Sequence, residues 1–204
     1  PALALAGYMR KKDPTVEVLF VGTPEGIERD LVAQAGYDYR GIAVGSLERS
    51  VSWEAIRHNC KSAWEMLALR RKTGAILKEF PADLVVGTGG YASYPMVKYA
   101  ALRGIPTAVH EANMIPGLTT KMLEKHASRI MVGFEECRAL YKHPERIAVT
   151  GTPVRGDFFD LTHEEAKAAL GIGKDEPLVV SFWGSLGAST MNAQMLDFFK
   201  KEKE

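Results

Sequence analysis

The sequence predicts an α/β fold with parallel strands, and three observations point to it. Apolar runs of strand length alternate with longer amphipathic stretches from end to end, the pattern of strands joined by crossover helices. Glycine clusters follow strands just where a helix begins, at Gly87–Gly90 and again at Gly184–Gly187. The composition, 46% hydrophobic and 25% charged over 204 residues, is that of a globular chain with room for one large domain and part of another. Disorder, collagen and coiled coil are excluded by the same figures.

The elements follow in order. PALALAGYMRKK opens the chain as a helix, with Pro1 suited to a first turn. With no strand or Met before it, the chain reads as a fragment of a longer protein. Val16 to Val21 is an apolar strand, Glu25 to Ala35 a helix, Tyr37 to Ala43 a strand and Ser52 to about Glu79 a long helix. Asp83 to Val86 is a short buried strand, followed by the first glycine cluster and a helix to about Arg103. Thr107 to His110 is a strand and Leu118 to His126 a helix, and Ile130 to Val132 with Ile147 to Thr150 close what reads as one sheet. GTPVRGDFF from Gly151 breaks the rhythm. Beyond it come a helix from Thr162 to Leu170, an apolar strand from Leu178 to Trp183, the second glycine cluster and a last helix with a charged tail. A second α/β unit begins there, with fewer residues than a domain core of its own requires. The expected division is residues 1–152 and 153–204.

Charge and cysteine content narrow the function. Twenty-six Lys and Arg against 25 Asp and Glu leave a net +1, so no bulk field draws the chain to nucleic acid and no nucleic-acid partner is expected. Cys60 and Cys137 stand far apart, without the spacing of a disulfide framework or zinc site. No metal and no cofactor are expected. No run reaches the ~20 apolar residues that cross a bilayer, and the start has no signal-peptide pattern, so a cytoplasmic location is expected.

Two clusters carry the candidate chemistry. In Gly87-Thr88-Gly89-Gly90-Tyr91-Ala92-Ser93, glycines between a strand and a helix start let backbone N–H groups approach an anion; the plain alternative is a tight turn needing positive φ. The spacing also fits a loose dinucleotide fingerprint, with Glu111 as the ribose acid of a nicotinamide dehydrogenase. The second cluster, His110-Glu111-Ala112-Asn113-Met114-Ile115-Pro116-Gly117-Leu118-Thr119, ends the next strand. His110 and Glu111 are candidates for an acid/base or orienting pair, and Asn113 offers donors and acceptors to a sugar hydroxyl or amide. The plain alternative is a strand cap and a turn. Ligands of open parallel sheets bind beyond the carboxyl ends of the strands, so both clusters are expected to line one crevice. Farther on, Arg155 suits a diphosphate, and Ser185 at a helix start suits a phosphate.

Taken together these motifs resemble the MurG family of peptidoglycan glycosyltransferases. Pro1 to Ala6 resembles the helix after the family's first glycine loop, and Gly89-Gly90-Tyr91-Ala92-Ser93 its second loop. His110-Glu111-Ala112-Asn113 with Pro116-Gly117-Leu118-Thr119 is the most specific match. Gly151-Thr152-Pro153-Val154-Arg155 resembles the linker, and Gly184-Ser185-Leu186-Gly187-Ala188 the donor loop. Thr152, Trp183 and Leu186 depart from the family's Asn, Gly and Gln.

The resemblance implies a GT-B architecture of two Rossmann-like domains, with an acceptor-binding first domain and a UDP-sugar-binding second. It implies metal-independent inverting transfer of N-acetylglucosamine from UDP-N-acetylglucosamine to lipid I. Asn113 would contact the sugar, Arg155 the diphosphate and Ser185 a donor phosphate, while Tyr91, His110 and Glu111 line the acceptor side with Gly89 and Gly90. Such an enzyme works peripherally on the cytoplasmic face of the cell membrane. The helix 52–79 offers a way onto an anionic membrane surface: Arg57 to Lys78 holds six basic residues against one acid, a local +5, beside Trp53, Ile56, Trp64 and Leu67. An ordinary crossover helix with a solvated basic face has the same pattern. Lacking both ends of the family's chain, the fragment alone is expected to be inactive. Other GT-B transferases, a UDP-sugar epimerase and a non-catalytic lipid- or nucleotide-binding module are the remaining readings.

Overall fold

A computed structural model describes residues 1–43, 68–181 and 188–201. The chain divides into two compact units, Pro1–Phe158 and Phe159–Glu204, where the sequence placed the division at 152/153.

The first unit contains α1 (Ala2–Lys12), β1 (Leu19–Gly22), α2 (Ile27–Gln34) and β2 (Asp38–Gly41). A helix α3 runs through residues 68–79. It is followed by β3 (Val85–Gly87), α4 (Ser93–Leu102), β4 (Thr107–Glu111), α5 (Leu118–Leu123), β5 (Arg129–Val132) and β6 (Ile147–Val149). All ladders are parallel. The strands form two sheets, β1-β2 and β3-β4-β5-β6, and not the single sheet expected. Apolar runs identify strands without naming their partners: Val21 of β1 and Val85 of β3 pack on one cluster, Ile42, Leu69, Ala92 and Met96, yet the two strands share no ladder.

The larger core belongs to the four-stranded sheet. Val97, Val109, Leu123, Ala127, Ile130, Val132, Cys137, Tyr141 and Ile147 form one buried cluster. Every residue of β4 is buried, as befits an inner parallel strand covered on both faces.

Helix α3 turns an apolar stripe inward, as a crossover helix does. Leu69 is buried, Ile76 and Leu77 pack on the same cluster, and Thr73 beside them is wholly buried with its hydroxyl donating to the Leu69 carbonyl. This apolar stripe is therefore spent on the core. Arg70, Arg71, Lys72 and Lys78 face outward. Trp53, Ile56, Arg57, Lys61, Trp64 and Leu67 lie outside the described residues.

In the second unit α6 (His163–Ala169) starts from a capping box between Thr162 and Glu165, and α7 spans Ser189–Lys201. The strand expected from Leu178 does not form over residues 178–181. Val179 is 75% exposed, and an extended apolar run with no neighbouring strand among the described residues gains no ladder.

Candidate functional site

Parallel register fixes where the loops emerge. Gly87 of β3 lies opposite Val109 of β4, and Glu111 opposite Val132 of β5, while Val132 lies opposite Val149 of β6. The glycine turn, the Asn113 loop and the segment beginning at Gly151 therefore leave the same edge of one sheet. Ser185 lies outside the described residues.

The glycine turn is built by close packing. A Cβ on Gly87 would stand 2.9 Å from Val97 Cγ2 and 3.2 Å from Ser93 Cβ, so glycine lets α4 settle against the end of β3. Gly89 and Gly90 follow with φ of 95° and 76°, conformations that side chains resist. Ser93 Oγ donates to the Gly89 carbonyl and ties the turn to the start of α4. Tyr91 projects outward, 68% exposed. Gly87→Ala is expected to lower stability by about 1–3 kcal/mol through overpacking, measurable by urea unfolding.

The second cluster is organised by Glu111. Glu111 is 6% exposed, and its carboxylate accepts four hydrogen bonds. Oε1 takes the Asn113 backbone N–H at 3.0 Å and Asn113 Nδ2 at 2.9 Å. Oε2 takes the Gly117 N–H at 2.9 Å and Thr120 Oγ1 at 2.8 Å. Burial pushes its pKa up, but the hydrogen bonds from Gly117, Asn113 and Thr120 outweigh it and hold the carboxyl below the usual range. Glu111 thus stays ionised and fixes the loop from residue 112 to 117. Asn113 is exposed at the loop's tip, its amide orientation set by the Nδ2 bond.

His110 is 3% exposed, and its Nε2 lies 3.0 Å from the Gly151 carbonyl. Adjacent strand residues point to opposite faces, so His110 and Glu111 leave β4 on different sides and each is held by other partners. Beyond Gly151, which has φ 71°, Arg155 is exposed and stacks over the Phe158 ring, 5.5 Å from its centre.

The sequence reading missed one feature. A shallow cavity of about 450 Å³ is lined by Thr23, Pro24, Glu25, Gly26 and Ala43, beyond the carboxyl ends of β1 and β2. Glu28 accepts from the Thr23 N–H at 3.2 Å and hydroxyl at 2.6 Å, and Tyr39 OH donates to the Thr23 carbonyl at 2.7 Å. The signal was available: Gly22-Thr23-Pro24-Glu25-Gly26 is another turn with glycines between strand and helix.

Among the described residues no cluster of His, Cys, Asp and Glu is arranged for a metal ion, and no helix is long and apolar enough to cross a membrane.

Comparison with known proteins places these features. Residues 1–132 match the model of the glycosyltransferase family 28 N-terminal domain. Over 202 residues the chain is 38% identical to a UDP-N-acetylglucosamine–N-acetylmuramyl-(pentapeptide) pyrophosphoryl-undecaprenol N-acetylglucosamine transferase of Thermoanaerobacter sp. (strain X514), covering 99% of this chain and 54% of the relative. A protein of the same name from Acetivibrio thermocellus is 38% identical over 203 residues, covering 100% and 54%. The chain spans about half the length of the curated relatives it matches. The crystal structure of Acinetobacter baumannii MurG superposes with a TM-score of 0.58 at 23% identity, over 76% of this chain and 42% of that one, and so shares the fold.

Proposed function

The chain belongs to glycosyltransferase family 28, and on that premise we propose that it supplies the acceptor side, and the start of the donor side, of an enzyme that transfers N-acetylglucosamine from its UDP donor to lipid I in peptidoglycan synthesis. The observation that carries this reading is the Glu111-held loop: a buried carboxylate fixes Asn113 at the open edge of the sheet. An amide held in one orientation suits recognition of a sugar hydroxyl or N-acetyl group.

The neighbouring residues take compatible roles. Arg155, a planar permanent cation, faces the donor diphosphate. The Gly89–Gly90 turn and Tyr91 lie beside Asn113 on the acceptor side, and Ser185 is assigned to a donor phosphate. In the reaction the acceptor hydroxyl attacks the anomeric carbon and gives its proton to a base, the bond to the UDP oxygen breaks, and charge gathers on the departing diphosphate, where Arg155 stabilises it. Exposed Met114, Ile115 and Leu118 follow directly on Asn113, an apolar surface suited to a lipid-linked acceptor.

The decisive experiment puts this 204-residue chain in place of the matched segment of the Thermoanaerobacter relative and follows labelled N-acetylglucosamine from UDP to a lipid I analogue. Transfer is expected, falling on the order of 10–100-fold in kcat/KM with Asn113→Ala. No labelled lipid from the wild-type chimera rejects the assignment. The 204-residue chain alone is expected to give no turnover.

We also propose peripheral attachment to an anionic membrane surface through the outward basic face of α3, each residue contributing about 1 kcal/mol. Flotation with vesicles containing an anionic phospholipid is expected to recover the chain, and Arg70→Glu/Arg71→Glu to weaken binding by more than about tenfold. Equal recovery of both proteins removes α3 from the membrane contact.

A further inference from the structure

We propose that His110 is a positioning residue, whose ring N–H holds the segment carrying Arg155 at a fixed spacing from the loop carrying Asn113. This rests on the transferase reading of those two residues and adds the part that sets their separation.

The sheet order explains why such a part is needed. Strands β4 and β6 are not neighbours, because β5 lies between them, and two strand spacings separate their ends by about 10 Å. Local backbone bonds hold each adjacent pair: the Gly133 N–H donates to the Glu111 carbonyl at 3.2 Å and the Thr150 N–H to the Val132 carbonyl at 3.0 Å. His110 passes over the middle strand and joins the outer two directly, linking residues 41 apart in the chain.

Gly133, just past β5, makes room for this approach. A Cβ there would stand 3.3 Å from Thr152 Oγ1 and 3.4 Å from the Ala112 carbonyl oxygen. The loop after β4 and the segment after β6 therefore close over a residue without a side chain. The turn at Gly151, with φ 71°, begins the segment that His110 holds.

The bond also assigns the ring's proton. A carbonyl oxygen only accepts, so Nε2 donates, and a ring with a single N–H has Nδ1 as its acceptor. Nδ1 is buried, with no partner among the described residues. For His110 to act as a base through Nε2, that atom would have to give up the tether, and Nδ1 is itself buried. The geometry makes His110 a strut between two substrate-holding segments.

Long-range nitrogen–proton correlation on the 204-residue chain reads the tautomer directly, and a proton on Nε2 is expected. A neutral ring protonated on Nδ1 overturns the proposal, since bare Nε2 cannot donate. His110→Phe keeps the ring's bulk without the donor, and His110→Gln restores an N–H at similar reach. Backbone relaxation is expected to show lower order at Thr152, Val154 and Arg155 in the Phe variant, with recovery in the Gln variant; unchanged order in the Phe variant overturns the tether.

In the chimera the Phe variant is expected to raise KM for UDP-N-acetylglucosamine about tenfold, the equivalent of one hydrogen bond, with a smaller change in kcat and partial rescue by Gln. An unchanged KM overturns the positioning role. A wild-type chimera that transfers nothing sinks the transferase reading, a separate result, because the tautomer and relaxation measurements judge the tether on their own.

Discussion

Replacing Glu111 by alanine is expected to lower stability by about 3–5 kcal/mol, read as a lower urea midpoint at unchanged slope. The loss comes from the donors left behind. Thr120 Oγ1 is buried and donates to the carboxylate, so it finds no substitute when the carboxylate goes, and the bonds that fold the exposed 112–117 loop back are lost with it. Glu111→Gln separates charge from shape: it keeps one acceptor but turns an N–H₂ group toward N–H or O–H donors, and is expected to lose about 2 kcal/mol.

The pH dependence has a definite sign. The carboxyl is held below its ordinary value of 4.5 in the folded chain, so the unfolded state binds the proton more readily. Stability from this group is complete above the unfolded value and declines as pH falls through the folded one. The gap between wild type and Glu111→Gln is therefore expected to be widest near neutrality and to narrow below about pH 4.5. A gap independent of pH would show that the charge does not organise the loop.

Ile130→Ala is the second large effect, at about 2–5 kcal/mol. Ile130 is wholly buried on β5, with Val109 on one side in register and Ile147 on the other, all three in the main cluster. Truncation opens a cavity between strands fixed by their ladders, which limits how far the walls can relax. Ile115→Ala removes the same atoms at a site 74% exposed and is expected to change stability by less than about 0.5 kcal/mol. Similar losses at both positions would mean that burial does not govern these differences.

What could be read from the sequence, and what could not, follows from the range of each interaction. β4 was legible in part, through Ile105 to Val109 leading into a dense polar cluster, but the burial of all five of its residues was not, because Thr107, His110 and Glu111 are polar. α6 was legible through its Thr162 cap. Asn113 stood out through the dense turn around it, but Glu111's hold on residues two, six and nine places ahead was not readable, because it depends on how the loop folds back. α5 ends at Leu123, short of His126, where the chain passes through a turn before Ala127 enters the core. His110's link to Gly151 spans an intervening strand and has no local signature. The separation of β1-β2 from the main sheet was equally hidden, since hydrophobic periodicity describes faces and pairing is decided by edges.

Those edges have a consequence for how the protein opens. Among the described residues β1 pairs only with β2, and β3 only with β4, so each presents one row of backbone amides with no ladder partner, whereas β4 and β5 are flanked on both sides. Amide deuteration should therefore proceed inward, fastest at the free rims of β1 and β3 and slowest along β4 and β5. The loop carrying Asn113 springs from β4, one of the slowest-opening strands, so it stays anchored while the periphery breathes.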